Sequence, residues 1–181
     1  MIIRLDSSHG EDVIRVLTSN RKYQGTADFG EYSKKLSRWT ADQLINSCHN
    51  IFGYVQDQKV IAFLDTSFCR HGFCLLTSSV DQNEPHKLVE GSRWPIAIIE
   101  LVNYAVRYYK IAGFRTAWTI RPDNPKWVPY IEAPTCVLKG CKTTIGLKVP
   151  ANTPWSKEYD WLIPEGKQLP VDNIVIKIEV C

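Results

Sequence analysis

The stretch Asn83 to Trp94 precedes an apolar helical run and holds the residues best suited to binding an anion. A helix N-terminus offers unpaired N–H groups and a partial positive charge. Gly91 is the one residue there with the backbone freedom that a tight phosphate nest needs. Arg93, Lys87 and His86 suit an anion there by charge, while Glu84 and Glu90 oppose one. Cysteines stand at 48, 69, 74, 136, 141 and 181. Cys69-Arg70-His71 with Cys74, and Cys136 with Cys141, resemble loose metal spacings. Neither has the tight C-x2-C form, and no metal is expected. Cys69 and Cys74 flank a turn, where small apolar thiols pack well. A thiolate–imidazole pair of Cys136 with His86 or His71 is required by no spacing. Reduced thiols are the expectation for a chain of this size without an export signal, with Cys181 a free exposed thiol.

The elements that must position these residues follow from pattern. Ile2 to Leu5 reads as a short strand. Ser8 with Glu11 three residues on fits a capping box before the apolar helical positions Val13, Ile14, Val16 and Leu17. Helical regions are expected over 28–36 and from Thr40 to Cys48, separated from the first helix by a polar loop. Phe52–Val55, a turn at 56–59, and Val60–Leu64 form a hairpin signal. A second turn at 70–72 leads into Phe73–Ser79, which completes an antiparallel meander. Pro95 sits near the first turn of the next helix, where its missing N–H costs nothing. Ile98, Leu101, Val102, Ala105 and Val106 give that helix a broad apolar stripe, and Gly113 ends it. Thr116–Ile120 is a strand, made parallel to Phe73–Ser79 by the helical crossover. Pro125, Pro129 and Pro134 restrict any helix around 126–132 to a turn or two. Strand material follows over 136–149, 159–163 and 173–180. The order implies an α+β fold with a mixed central sheet.

Composition bounds the function. The chain has 181 residues, 44% apolar and 23% charged, with a net charge of +3. That suits one globular domain with a real core. The basic residues are scattered, so no nucleic-acid partner is expected. No segment reads as a membrane span or signal peptide, and a cytoplasmic location follows. Trp118 is expected in the sheet. Trp127, Trp155 and Trp161 lie in proline-containing regions, where packing of a C-terminal extension explains them.

Tyr109-Lys110-Ile111-Ala112-Gly113-Phe114-Arg115 followed by Arg121-Pro122-Asp123-Asn124, together with the order of elements, resembles the superfamily of acyl-coenzyme A dependent N-acyltransferases related to histone acetyltransferases. Lys139-Gly140-Cys141-Lys142 with Ile145-Gly146 resembles a later segment of the same family. The resemblance covers residues 2–149. It implies an N-acyltransferase-like domain over 1–149, of three-layer architecture, and a C-terminal extension over 150–181 packed on that domain.

The resemblance also implies a function. An acetyl or other acyl group would pass from acetyl-CoA or another acyl-CoA to an amine on a small molecule or a protein. Ser79, Val80, Gly91, Ser92 and Arg93 would hold the cofactor. An acidic residue on or beside the central strands, Asp65 or Asp81, would accept the amine proton. Asn124 would position the backbone, and Tyr130 is the phenol closest to where relatives carry a leaving-group acid. The family position for that acid, four before Gly140, holds Cys136, a poor donor. The loop over 83–94 also lacks the family's glycines. The alternative is a catalytically inactive acyltransferase-like domain that serves structure or interaction, assembling with itself or with a protein partner.

Overall fold

The computed structural model describes residues 1–19, 49–91, 94–122, 141–153 and 172–180. The helices expected over 28–36 and 40–48, the short helix around 126–132 and the strand over 159–163 lie outside the described residues. So do Ser92, Arg93, Asn124 and Tyr130 among the candidate site residues.

The described chain forms β1 (Ile2–Arg4), a 3-10 turn (Ser7–His9), α1 (Gly10–Ser19), β2 (His49–Gln56), β3 (Lys59–Cys69), β4 (Gly72–Val80), α2 (Ile96–Ile111), β5 (Thr116–Pro122), β6 (Cys141–Val149) and β7 (Asn173–Val180). One seven-stranded sheet has the order β1-β2-β3-β4-β5-β7-β6. The chain divides into two compact units, Met1–Ser67 with Thr77–Ala105, and Phe68–Leu76 with Val106–Cys181.

In the first unit β1 pairs antiparallel with β2, and β2 with β3 in a register that sets Ile51 against Asp65 and His49 against Ser67. α1 buries Val13, Val16 and Leu17, an i, i+3, i+4 stripe, in one cluster with Leu5, Ile51, Val60 and Phe63. Its start differs from the sequence expectation. Asp6, not Ser8, is the cap: its carboxylate accepts from the Ser8 N–H at 2.8 Å, and His9 Nδ1 accepts from the Asp6 N–H at 3.2 Å. The 3-10 turn moves the cap ahead of the helix proper. Further along, Tyr104 of α2 meets Phe52 edge to face at 5.2 Å between ring centres.

In the second unit β4 pairs parallel with β5 through Phe73↔Ala117 and Cys74↔Trp118. β7 pairs antiparallel with both β5 and β6. Residues 173–180, part of the expected C-terminal extension, therefore supply a strand between two others. Ile174, Val175, Ile176 and Ile178 are all buried, as befits a strand covered on both faces. Tyr109 stacks on Phe73 at 4.3 Å and 7° and touches Phe68 edge-on at 5.1 Å. Such ring pairs contribute about 0.5–1.5 kcal/mol each beyond their buried area. Gly113, with φ of 96°, ends α2, and the Phe114 N–H returns to the Tyr109 carbonyl at 2.9 Å.

Candidate functional site

Asp81 directly follows β4 as one of the most deeply buried carboxylates, 1% exposed. Both of its oxygens are engaged. Oδ2 accepts from the Arg15 guanidinium, and Oδ1 accepts from the Asn83 N–H at 3.0 Å. Arg15 also donates to Asp12 at 2.9 Å and to the Val60 carbonyl at 2.7 Å. The Asp81 backbone is equally occupied. Its N–H reaches the Ile61 carbonyl at 2.8 Å, and its own carbonyl accepts from Glu84 N–H at 3.2 Å and His86 Nε2 at 2.6 Å. Lys59 pairs with Glu84. Asp81 Oδ2 thus meets α1, and Oδ1 meets the start of the loop after β4.

The loop between β4 and α2 folds as a small hairpin. Leu88 bridges to Pro95, and the Val89 N–H donates to the Trp94 carbonyl at 2.9 Å. Gly91, with φ of 74°, lies exposed near its tip beside exposed Glu90. The loop folds back onto the helix start: the Ile96 N–H donates to the Lys87 carbonyl at 2.8 Å. The Gln82 and Asn83 N–H groups are held by Ser19 Oγ and Asp81 Oδ1. Several amides that could face a phosphate are thus committed within the loop, and Glu84 and Glu90 carry the wrong charge for one.

On β4 itself the chemistry is more receptive. Ser79 is 3% exposed, and its hydroxyl has no hydrogen-bond partner among the described residues. A buried hydroxyl without a partner is costly. Val80 follows it, buried, as the last residue of the strand.

A second acidic group is held differently. Asp65, 1% exposed on β3, accepts from His49 Nδ1 on β2 at 2.9 Å. The His49 side chain keeps a quarter of its surface exposed. A buried carboxylate bonded to one ring nitrogen fixes the imidazole's orientation. The sequence marked Asp65 and passed over His49. The signal was its place at the start of a strand whose hairpin partner carries the acid.

Tyr54 faces Glu100, and burial first, then that carboxylate, pushes its phenol above the usual range. Among the described residues no three His, Cys, Asp or Glu side chains converge as a metal site. No helix among them is long and apolar enough to cross a membrane.

No family model matches the sequence, and no curated protein does. Solved structures do match. A Desulfovibrio desulfuricans protein assigned to the GNAT family of acetyltransferases superposes over 100% of this chain and 99% of its own, with a TM-score of 0.67 at 11% identity. The Escherichia coli ribosomal-protein-S18-alanine N-acetyltransferase covers 99% of this chain and 93% of its own, at 0.62 and 11%. The PaiA N-acetyltransferase of Thermoplasma acidophilum, solved with coenzyme A, covers 99% and 98%, at 0.58 and 15%. The fold is therefore the α+β, central-sheet architecture of GNAT-like acyltransferases. The likeness runs over the whole chain, beyond the 2–149 span of the sequence resemblance.

Proposed function

We propose that this chain is an acyl-coenzyme A dependent N-acyltransferase, taking acetyl-CoA or another acyl-CoA as donor and a small-molecule or protein amine as acceptor. The observation that carries the reading is the full-length likeness to N-acetyltransferase structures, which includes the PaiA protein solved with coenzyme A. Cys69, Cys74 and Cys141 stand outside any disulfide, in keeping with a reducing, cytoplasmic setting.

When bound, acyl-CoA supplies a thioester carbonyl that an amine can attack. Ser79 and Val80 would hold its extended arm along β4, and Gly91, Ser92 and Arg93 would meet its phosphates. His49 takes the proton that the attacking amine must lose, and Asp65 fixes its ring and balances the charge gained. The Tyr130 phenol would return a proton to the leaving thiolate, and Asn124 would position the backbone. Asp81 ties α1 to the start of the loop, through Arg15 and the Asn83 N–H.

The test is calorimetric titration of acetyl-CoA, with desulfo-coenzyme A beside it, followed by transfer assays over a panel of amines. Saturable micromolar binding weakened by Arg93→Ala, with transfer lost in His49→Ala, is expected. Absence of binding to folded protein would overturn the reading.

The committed loop amides and the carboxylates of Glu84 and Glu90 favour one second reading, an inactive acyltransferase-like domain that binds a protein partner or a second copy. The same titration separates the two.

A further inference from the structure

A pair of thiols at the β3–β4 turn has no part in acyl transfer. β3 ends at Cys69 and β4 begins at Gly72, with Arg70 and His71 between them. In a hairpin closed by a two-residue turn Cys69 faces Gly72. The alternation of β4 then puts Cys74 on the same face, one diagonal step away. The Cys69 side chain packs there against the cluster that holds Cys74.

The environments of the two sulfurs differ. Cys74 is fully buried in a cluster with Val149 and Val175, against which Trp118 packs. Cys69 is only partly buried at the cluster's rim. The Cys74 hydrogen bond above all, then the two turn amides and Arg70, hold the Cys69 thiol at about 7 against the opposing effect of burial. An accessible, thiolate-prone cysteine beside a second thiol is the arrangement of a redox-sensitive pair.

We propose that Cys69 and Cys74 form a reversible redox site, with Cys69 the thiol oxidised by hydroperoxides and Cys74 its resolving partner. The Cys69 thiolate attacks the outer peroxide oxygen, the O–O bond breaks, and the alcohol or water leaves with a proton. Cys69 is then a sulfenic acid. The Cys74 sulfur displaces its hydroxyl, water departs, and the S–S bond forms. Two thiols are oxidised, and one hydroperoxide is reduced to an alcohol and water, or to two waters. Diagonal neighbours on a hairpin stand about 7–8 Å apart between Cα atoms. Disulfides seldom span more than about 7 Å. The turn must draw inward, which leaves a strained bond that reductants open readily. Trp118 reports on the change, because its indole N–H is tied to the His71 carbonyl within that turn at 3.1 Å.

The test uses the whole chain, reduced, freed of reductant and titrated with hydrogen peroxide. Remaining thiols are then alkylated, and the protein is digested with trypsin without reduction. Trypsin cuts after Arg70, between the two cysteines, so a disulfide joins peptides that otherwise separate. The expected result is a Cys69–Cys74 cross-linked pair that rises with peroxide, vanishes with dithiothreitol and is accompanied by a change in tryptophan fluorescence. Cys74→Ser should stop the reaction at a Cys69 sulfenic acid captured by dimedone. Cys74→Ala gives the same readout where a buried serine hydroxyl prevents folding. The proposal is overturned if Cys69 stays reduced while Cys141 or Cys181 oxidises. It is equally overturned if the wild type accumulates dimedone-labelled Cys69 without the cross-link.

Discussion

Arg15 on α1 and Asp81 directly after β4 are 66 residues apart in the chain and joined as an ion pair, with the carboxylate 1% exposed. The pair ties the first helix to the strand from which the loop over 82–95 departs. Removing one partner leaves the other buried and unbalanced, which typically costs about 3–5 kcal/mol. Arg15→Met should lower the urea midpoint accordingly. The double variant Arg15→Met, Asp81→Leu should recover part of the loss. A single variant that melts like the wild type would show that the pair contributes nothing.

The Asp6 cap gives a smaller and pH-dependent effect. Hydrogen bonds from Ser8 lower its carboxyl below the ordinary value of 3.8. A lowered acid stabilises the folded chain above its unfolded value, and that contribution is lost as pH falls through the folded one. Asp6→Ala should cost about 1 kcal/mol near neutrality. The gap from wild type should narrow below pH about 4 in thermal melts. A constant gap from pH 7 to pH 3 would exclude the ionised cap as its source.

For the proposed transfer reaction, His49→Ala should reduce kcat by about 10²–10⁴ while leaving acetyl-CoA affinity intact, as loss of a general base does. Asp65→Asn should reduce it less, because the imidazole remains. A fall in acetyl-CoA affinity without a change in kcat would assign His49 to binding instead.

Cys69 should alkylate fastest among the described thiols Cys69, Cys74 and Cys141. Its rate with iodoacetamide should rise through pH about 7 and level off above it, following the thiolate. Removing the donor with Cys74→Ala should move that rise to higher pH. By the same linkage, the stability that the thiolate contributes is present above the ordinary value of 9.0 and lost as pH falls through about 7. A rate that climbs only above pH 8 would contradict this environment.

Gly72 holds the β3–β4 turn at φ of 135°, and a Cβ there would sit 2.1 Å from the Thr116 carbonyl oxygen. Gly72→Ala combines a strained backbone of about 1–3 kcal/mol with a contact that β5 must move to relieve. Loss of at least about 2 kcal/mol is expected by denaturant titration, and a neutral alanine would refute the close approach.

The hairpins, the long helix and the parallel strand after it were legible because their signals are local. Alternation, turn residues, Pro95 and Gly113 act within a few residues of one another. What escaped was pairing at a distance. Nothing near Asp81 announces Arg15, and nothing near Asn173–Val180 says that this strand enters between β5 and β6. His49 gained meaning only when the β2–β3 register set it diagonal to Asp65. The cap at Asp6 was misplaced by two residues because a 3-10 turn hides ahead of the helix.

The place of β7 has a consequence for synthesis. β5 and β6 find their shared neighbour only after residues 173–180 have left the ribosome. Until then a nascent chain carries both strands with open edges, the kind of surface that aggregates or recruits chaperones. Translation that stalls before Asn173 therefore yields a chain that cannot join β5 to β6.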